Sequence, residues 1–379
     1  MRIEQLKWTP ERTWEKLRSD LKDPKDYQLV IVFGSRILLS SPGFYQEIRN
    51  KYPKAEILMN STSGEIIDTQ VNDDTISLTA IRFDKTKFVT HTLNTCDHPN
   101  SESAGSNIAK TFCKDELTHI LVIADGQLVN GSDLLEGLKN NLPKGIIITG
   151  GLAGDGNRFQ KTLVGLNEQP AEGKIVAVGF YGNHLKVSHG SMGGWDPFGP
   201  ERKITRSSAN VLYELDGQPA LSVYKKYLGE YSDELPGSAL LFPLCIALND
   251  QEEPVIRTIL SINEDEQSLT FAGNVPEGRS ARLMKANSDR LIEGASDAAL
   301  SCLGNLERPD LAILISCVGR KMVLNQRIEE EVEVVREILG ENTAITGFYS
   351  YGEISPPKGV STSELHNQTM TITTLSEKK

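Results

Sequence analysis

The chain lacks several features that define other classes of protein. Its five cysteines are an odd number without a C-x-x-C pair, which argues against a disulfide framework and against a structural zinc site. The longest apolar run, residues 239–248, is interrupted by Pro243 and is too short to cross a bilayer. Charged residues are spread through the first 17 positions, so the apolar core of a secretory signal is missing. We therefore expect a cytoplasmic protein with free thiols.

An excess of positive charge is missing as well. The sequence has 40 Lys and Arg residues against 51 Asp and Glu residues, which gives a net charge of −11. Binding to nucleic acid or to an anionic membrane surface requires clustered Lys and Arg, so neither partner is expected. The length of 379 residues, with 39% hydrophobic and 24% charged residues, fits an ordinary soluble protein of two or three domains.

Three segments of the chain share one order of elements. Each begins with a short apolar strand rich in β-branched residues, continues with a helix and a second strand, and ends in a turn. The opening strands are predicted at residues 29–33, 120–124 and 311–315. Residues 75–83 and 87–93 alternate in polarity and predict an antiparallel hairpin after the first turn.

The segment before the first unit, residues 9–21, predicts a helix. Pro10 suits the first position of a helix, and Trp14, Leu17 and Leu21 would share one face.

Repeated strand–helix–strand units favour mixed β-sheets covered by helices. We therefore predict a mixed α/β (α+β) fold with a duplicated, two-lobed architecture, in which the three turns lie at corresponding strand ends. Open sheets bind ligands beyond the carboxyl ends of their strands, which makes the turns candidate walls of a pocket.

Two of the turns nearly repeat each other, as Ser63-Gly64-Glu65-Ile66 and Tyr351-Gly352-Glu353-Ile354. Glycine fits such a turn because it tolerates a positive φ and a close backbone approach. Glutamate fits less well, since Asn, Asp or Ser would serve a turn better. Glu65 and Glu353 are therefore candidate ligand-binding residues.

Cys317 follows a buried strand and could act as a nucleophile. No oxyanion pattern or nearby base is visible, so a small apolar residue at a strand end is the plainer interpretation. The glycine-rich turn at residues 150–156 lacks the Lys and Ser or Thr of a phosphate-binding loop, which favours a tight turn beside a ligand. An enzyme that uses Cys317, or Glu353 with Tyr351 as an acid–base group, is kept as an alternative.

Histidines are candidate ligands of haem iron. His189 opens residues 189–200, a stretch rich in glycine, proline and aromatic residues that can form an apolar pocket wall, and His184 lies just before it. A neutral imidazole there could bind haem. A hydrogen-bonded structural histidine is the plainer alternative. Tyr349 and Tyr351 would add aromatic surface from the third turn.

These motifs occur in the order found in FIST proteins. The segments GGLAGDG (150–156), GWDPFGP (194–200) and ELDGQPA (214–220) resemble the N-terminal FIST domain. The segments SCVGR (316–320), GFYSYGEI (347–354) and HNQT (366–369) resemble the C-terminal FIST domain. The resemblance implies three parts: the N-terminal helix within residues 1–26, a FIST N-like sensory domain at 27–220 and a FIST C-like domain at 221–379.

The resemblance implies a sensory, ligand-binding module of signal transduction, with an amino acid or a similar small molecule as ligand. One bacterial branch, the haem-containing nitric-oxide sensors, resembles this chain and regulates partner histidine kinases. Carried over to this chain, the haem ligand would be His189, with His184 second. We expect a sensor without enzymatic activity that signals through a partner protein such as a histidine kinase, and homodimer formation is left open.

Without haem, the alternative is a sensor of an amino acid or a related metabolite. Glu65, Asp155 and Glu353 would then hold the ammonium group. Arg320 would hold the carboxylate in a bidentate manner. The other candidate ligand-binding residues are Trp195, Cys317, Tyr349 and Tyr351.

Overall fold

The protein is described by a computed structural model that covers residues 1–11, 13–247, 254–303, 308–357, 360 and 362–378. These residues form three sheets of similar construction and a fourth sheet that is inserted within the third unit. In the described part of the chain, no helix is both long and apolar enough to span a membrane.

The first unit opens with a hairpin and continues with the predicted strand–helix–strand order. Its elements are β1 (Arg2–Thr9), β2 (Thr13–Ser19), β3 (Leu29–Gly34), α1 (Arg36–Leu39), α2 (Phe44–Lys51), β4 (Glu56–Ser61), β5 (Glu65–Ile67), β6 (Gln70–Asn72) and β7 (Ile76–Arg82). Every residue of β3 is buried, as its continuous apolar sequence predicts.

The helix predicted at residues 9–21 is wrong. β1 and β2 form an antiparallel hairpin there, with Trp8 opposite Trp14, and Pro10 lies in the connecting turn. Tertiary packing decides the outcome, because β1 also pairs along its length with β7 and the Trp14 ring stacks on Phe44 of α2 at 6.4 Å. Local propensity yields to such long-range pairing.

The second unit has a helix where the first has β2. Its elements are β8 (Lys87–Asn94), α3 (Ser101–Thr111), β9 (Leu117–Ala124), α4 (Gly131–Asn141), β10 (Ile147–Leu152), β11 (Val164–Leu166) and β12 (Lys174–Tyr181).

The third unit begins with β13 (Leu185–Met192) and is then interrupted by the insertion. The insertion contains β14 (Trp195–Ser208), β15 (Val211–Leu215), β16 (Gln218–Pro219), α5 (Ala220–Leu228), β17 (Leu244–Ile246), β18 (Val255–Arg257), β19 (Ile259–Asn263), β20 (Ser268–Phe271) and β21 (Ser280–Ala286). The unit resumes with α6 (Ser288–Leu303), β22 (Leu311–Cys317), α7 (Val318–Leu324), α8 (Glu330–Leu339), β23 (Ala344–Ser350), β24 (Gly352–Ser355), β25 (Glu364–His366) and β26 (Met370–Glu377).

The three main sheets have the same internal order. Sheet 1 runs β11-β4-β3-β7-β1-β2 and sheet 2 runs β25-β24-β10-β9-β12-β8. Read in the same direction, sheet 3 runs β6-β5-β23-β22-β26-β13. In each, the two strands of the predicted unit pair in parallel, as β3 with β4, β9 with β10 and β22 with β23. The hairpin predicted from residues 75–93 is wrong, because β7 pairs in sheet 1 and β8 pairs with β12 in sheet 2.

The strand after each turn crosses into the sheet of another unit. β5 of the first unit pairs with β23 in sheet 3, β24 of the third unit pairs with β10 in sheet 2, and β11 of the second unit pairs with β4 in sheet 1. The first unit thus contributes a strand to sheet 3, the third to sheet 2 and the second to sheet 1, so the exchange connects the three units in a closed cycle. The expectation of three related units is confirmed, whereas the duplicated two-lobed architecture is wrong, because three units interlock in one cycle.

All three main sheets contribute to one apolar core. This core contains Phe33 of sheet 1, Ile123 of sheet 2, and Ile313 and Phe348 of sheet 3, and the rings of Phe33 and Phe348 lie 4.8 Å apart. Helices cover the outer faces and form a separate core with each sheet. Strand pairing also crosses the predicted boundary at residue 220, since β13 lies beside β26 in sheet 3.

Candidate functional site

The three turns meet at the carboxyl ends of the parallel strands. Backbone hydrogen bonds join them in pairs: Gly154 N donates to Ser61 O at 2.9 Å, Ser63 N to Tyr349 O at 2.8 Å, and Tyr351 N to Leu152 O at 3.2 Å. The exchanged strands fix these contacts, because the chain after each turn enters a strand of another unit's sheet.

A cavity of about 520 Å³ opens beside the first turn. Its walls come from the first turn, from the loop before β7, from the second turn and from α7. The charged residues that line it are Glu65, Asp73, Asp74, Arg158 and Lys321. The cavity therefore presents both signs of charge to a small molecule.

Glu65 is a buried carboxylate at the wall of this cavity. Thr62 Oγ1 donates to one of its oxygens at 2.5 Å, while Thr75 N and Thr75 Oγ1 donate to the other at 3.2 and 2.7 Å. Burial raises the pKa of Glu65 to about 7, even though the hydrogen bonds from Thr62 and Thr75 act in the opposite direction. The carboxyl group can therefore gain or lose a proton near neutral pH.

Lys321 carries a positive charge at the cavity wall, where its ammonium lies against the first turn. Its ammonium donates to Ser63 O at 2.9 Å and pairs with the Asp73 carboxylate, and it lies 5.7 Å from the centre of the Tyr349 ring. A carbonyl and an aromatic face are both favourable neighbours for a cation. Lys321 comes from the third unit, while Ser63 and Asp73 come from the first, so the residue bridges two units.

Asp155 lies in the second turn and already forms ion pairs with two arginines. Arg36 Nε and Arg158 Nε each donate to Asp155 Oδ1 at 2.8 Å, and the carboxylate is fully buried. Asp155 therefore does not offer a free charge to an ammonium group. Its contribution is to hold Arg158, whose side chain is partly exposed in the cavity wall.

The second unit has no counterpart of Glu65. Leu163 O accepts from Ser61 N in the same way as Gly64 O accepts from Tyr349 N, so the residues that follow, Val164 and Glu65, occupy equivalent positions. An apolar residue replaces the glutamate there.

Glu353 is the counterpart of Glu65 in the third unit. Ser350 Oγ donates to it at 2.6 Å, and Thr369 N and Oγ1 donate at 3.2 and 3.0 Å. Burial raises the pKa of Glu353 to about 8. Unlike Glu65, it is not among the residues that line the cavity, so the arrangement does not bring the two predicted glutamates together.

Arg320 cannot act as the predicted carboxylate clamp. Its guanidinium is fully buried and forms an ion pair with Glu331 at 2.8 Å. The remaining donors bind Gly193 O at 2.9 Å and Leu291 O at 2.7 Å. The prediction is wrong because the guanidinium binds groups of the protein instead of a ligand. These hydrogen bonds connect α7 to α6, to α8 and to the end of β13.

The aromatic candidates support the site from behind. Tyr349 donates to Glu331 Oε1 at 2.6 Å beneath Lys321. Tyr351 donates to Gly156 O at 3.1 Å and stacks on Phe159 at 4.5 Å. Trp195 lies at the start of β14 and donates to Gln368 O at 2.9 Å. Tyr349, Tyr351 and Trp195 are absent from the lining of the cavity, so we assign them structural contacts.

Cys317 ends β22 and is buried under α7. Burial raises the pKa of its thiol, and the neighbouring Glu353 carboxylate acts in the same direction. A reactive cysteine requires the opposite, a stabilised thiolate with access to substrate. The geometry therefore does not favour an enzyme that uses Cys317 as a nucleophile, whereas the alternative with Glu353 and Tyr351 as an acid–base group stays a prediction.

The two histidines lie far from the cavity. His189 is level with Thr373 and Ile313, four residues before β22 ends at Cys317, and it lies on the side of β13 that packs against the shared core. His184 is exposed in the turn before β13. Haem needs an apolar cavity beside its axial ligand. His189 is partly buried against the shared core and neither histidine lines the cavity, so haem stays a prediction from the resemblance.

Metal binding has no obvious site in the described residues, where no group of three or more His, Cys, Asp or Glu side chains is placed to hold an ion.

The sequence does not point to two residues that pair in the cavity lining and join the first and third units, Lys321 and Asp73. Lys321 directly follows the arginine that was singled out, and Asp73 begins an Asp-Asp-Thr segment between two short strands. Each of these sequence features indicates a polar segment. The ion pair between Lys321 and Asp73, which are 248 residues apart, depends on the strand exchange.

The chain resembles other proteins at several levels. It is 27% identical over 297 residues to an uncharacterized protein of Methanocaldococcus jannaschii, an alignment that covers 67% of this chain and 55% of that protein. The chain thus spans about half the length of this curated relative. Among solved structures, the cyanuric acid hydrolase from A. caulinodans aligns over 93% of this chain and 91% of its own, at 7% identity and a TM-score of 0.31.

Two family models match successive parts of the sequence. The FIST N domain matches residues 28–218, and the FIST C domain matches residues 220–356. The chain therefore belongs to the FIST family, whose domains are sensory domains of signal transduction.

Proposed function

We propose that this protein is a cytoplasmic sensor of a small zwitterionic metabolite, such as an amino acid, which binds in the cavity beside the first turn. The observation that carries the proposal is the position of Glu65. This buried carboxylate accepts its hydrogen bonds from Thr62 and Thr75, which are neutral donors, and it lines a cavity that also has cationic residues in its lining. A buried carboxylate is stabilised by a nearby cation, and the ammonium group of a ligand would supply one.

The opposite end of such a ligand would carry a carboxylate. Lys321 and Arg158 both line the cavity and present cationic groups to it. In this proposal they hold the ligand carboxylate, the role that the sequence analysis predicts for Arg320. Asp155 supports this end indirectly, because its ion pair with Arg158 holds the guanidinium at the wall.

A sensor requires two conformations with different affinities for the ligand. The cavity suits this purpose because its walls belong to all three interlocked units, so a bound molecule would favour one arrangement of the units over another. Output would pass to a partner protein such as a histidine kinase. This partner is inferred from the family resemblance alone.

The test is a thermal-shift screen of the purified protein against the common amino acids at a pH well above the pKa of Glu65. A ligand that binds only the native state must raise the melting temperature. Any positive compound is then titrated by calorimetry into the wild type, Glu65→Gln and Glu353→Gln. The Glu353→Gln variant is the matched control, because Glu353 has the same types of hydrogen-bond donor away from the cavity.

We expect binding that Glu65→Gln weakens at least tenfold, as loss of a charge-assisted contact implies at about 1.4 kcal/mol or more, and that Glu353→Gln leaves unchanged. Failure of every amino acid at millimolar concentration, or equal weakening by the two variants, would contradict the proposal.

A further inference from the structure

The cavity already contains a carboxylate of the protein at its cationic wall. Asp73 pairs with Lys321, and the Asp73 side chain is 68% exposed, whereas that of Lys321 is only 18% exposed. The lysine is thus held by its surroundings on Ser63 O and the Tyr349 ring, while its carboxylate partner extends from a loop into solvent. Such an exposed partner is held weakly and can be replaced.

The loop that carries Asp73 also reaches Glu65. Two residues further along, Thr75 donates both its backbone N–H and its hydroxyl to the Glu65 carboxylate. The loop of residues 73–75 therefore contacts Lys321 through Asp73 and Glu65 through Thr75. It also joins β6 of sheet 3 to β7 of sheet 1, so a change in this loop acts on two sheets.

We propose that Asp73 is an internal substitute for the ligand: the carboxylate of a small molecule displaces it from Lys321 and releases the loop of residues 73–75. This deepens the proposed function, on which it rests for the existence of a ligand in the cavity. A carboxylate displaces a carboxylate, so the charge of the Lys321 pair is conserved. The freed Asp73 side chain becomes fully hydrated, at little cost because most of it already contacts water.

Sodium acetate is a suitable probe because it carries only the carboxylate. Acetate is titrated against sodium chloride at constant ionic strength, and binding is followed through the NMR amide signals of Ser63, Asp73 and Thr75 in the full chain. Asp73→Asn removes the competing charge and should lower the apparent Kd for acetate about two- to five-fold. Lys321→Met should abolish the saturable shifts.

The chain offers a matched control in Asp68. Its carboxylate pairs with Arg336 and likewise joins the first unit to the third, but it is not among the residues that line the cavity. Asp68→Asn should leave acetate binding unchanged. If Lys321→Met fails to fold, Lys321→Gln is used, with the melting temperature as the check on folding.

Unchanged or weaker acetate binding in Asp73→Asn would overturn the proposal, as would saturable binding in the folded Lys321 variant. The outcome is separable from that of the proposed function. If Asp73→Asn strengthens acetate binding but no amino acid binds, the displacement is supported and the zwitterionic ligand is contradicted. If an amino acid binds in a manner that depends on Glu65 but Asp73→Asn leaves acetate binding unchanged, the proposed function is supported and the displacement is contradicted.

Discussion

Glu65 and Glu353 occupy equivalent positions in two of the three units, and each binds a hydroxyl three residues before it and the N–H and hydroxyl of a distant threonine. Only Glu65 is among the residues that line the cavity. Glu353 can therefore serve as a control for Glu65, because the two carboxylates have matched hydrogen bonds and are almost equally buried.

The first prediction concerns the pH dependence of ligand binding. Burial raises the pKa of Glu65 to about 7, and a ligand ammonium requires the ionised carboxylate. Below that value, binding must expel a proton, so affinity for an amino acid should fall as pH decreases, by up to about tenfold per pH unit. Calorimetry at pH values on both sides of the pKa measures this dependence. A flat profile in wild type would remove Glu65 from the ammonium site, and Glu353→Gln should leave the slope in place.

The second prediction concerns stability. Burial raises the pKa of Glu353 from 4.5 to about 8, so the native state binds more protons than the unfolded state between these values. The free energy of unfolding should therefore decrease as pH rises through this window, with a contribution on the order of 3–5 kcal/mol from this residue. Urea unfolding as a function of pH tests this. In Glu353→Gln the decrease should become smaller, and an unchanged pH profile would contradict the assignment.

Much of the local structure follows from the sequence, and the reason is visible in the strands. β3, β9 and β22 are short apolar runs that are buried almost completely, so their length and their content of β-branched residues identify them as strands. The exchanged strands β5 and β11 contain only three residues each. Segments this short carry almost no pattern, and their pairing in another sheet depends on long-range contacts that local propensity does not encode.

The candidate site was predicted where a residue was unusual for its local structure and missed where the partner was remote. Glu65 was identified because glutamate is a poor turn residue. The role predicted for Arg320 is wrong because Glu331, eleven residues further along the chain, is fully buried against it. Lys321 and Asp73 meet only after β5 has joined sheet 3.

The third prediction follows from that buried ion pair. Arg320→Met leaves the Glu331 carboxylate buried without its cation and should lower the free energy of unfolding by about 3–5 kcal/mol. The control is Arg327→Met, which removes exposed ion pairs with Asp289 and Glu330 and should change stability little. Chemical denaturation compares the two variants. Equal decreases in the free energy of unfolding would contradict the prediction, because they would show that the buried Arg320–Glu331 pair stabilises the protein no more than the exposed pairs of Arg327.

The last prediction uses a glycine in the first turn. Gly64 has a φ of +138°, and a Cβ built there would lie 2.6 Å from Lys321 Nζ. Gly64→Ala should therefore cost about 1–3 kcal/mol of stability through backbone strain and also push Lys321 out of place. Gly43→Ala is the matched control, because Gly43 has a φ of +85° with no atom within 4 Å of its Cβ position.

Both alanine variants should melt at lower temperature than wild type, but only Gly64→Ala should weaken the acetate-induced shifts of Ser63 and Thr75. The comparison separates strain from displacement of the lysine. If both variants bind acetate as wild type does, Lys321 does not need its present position for anion binding, and the cationic wall must then be assigned to Arg158 instead.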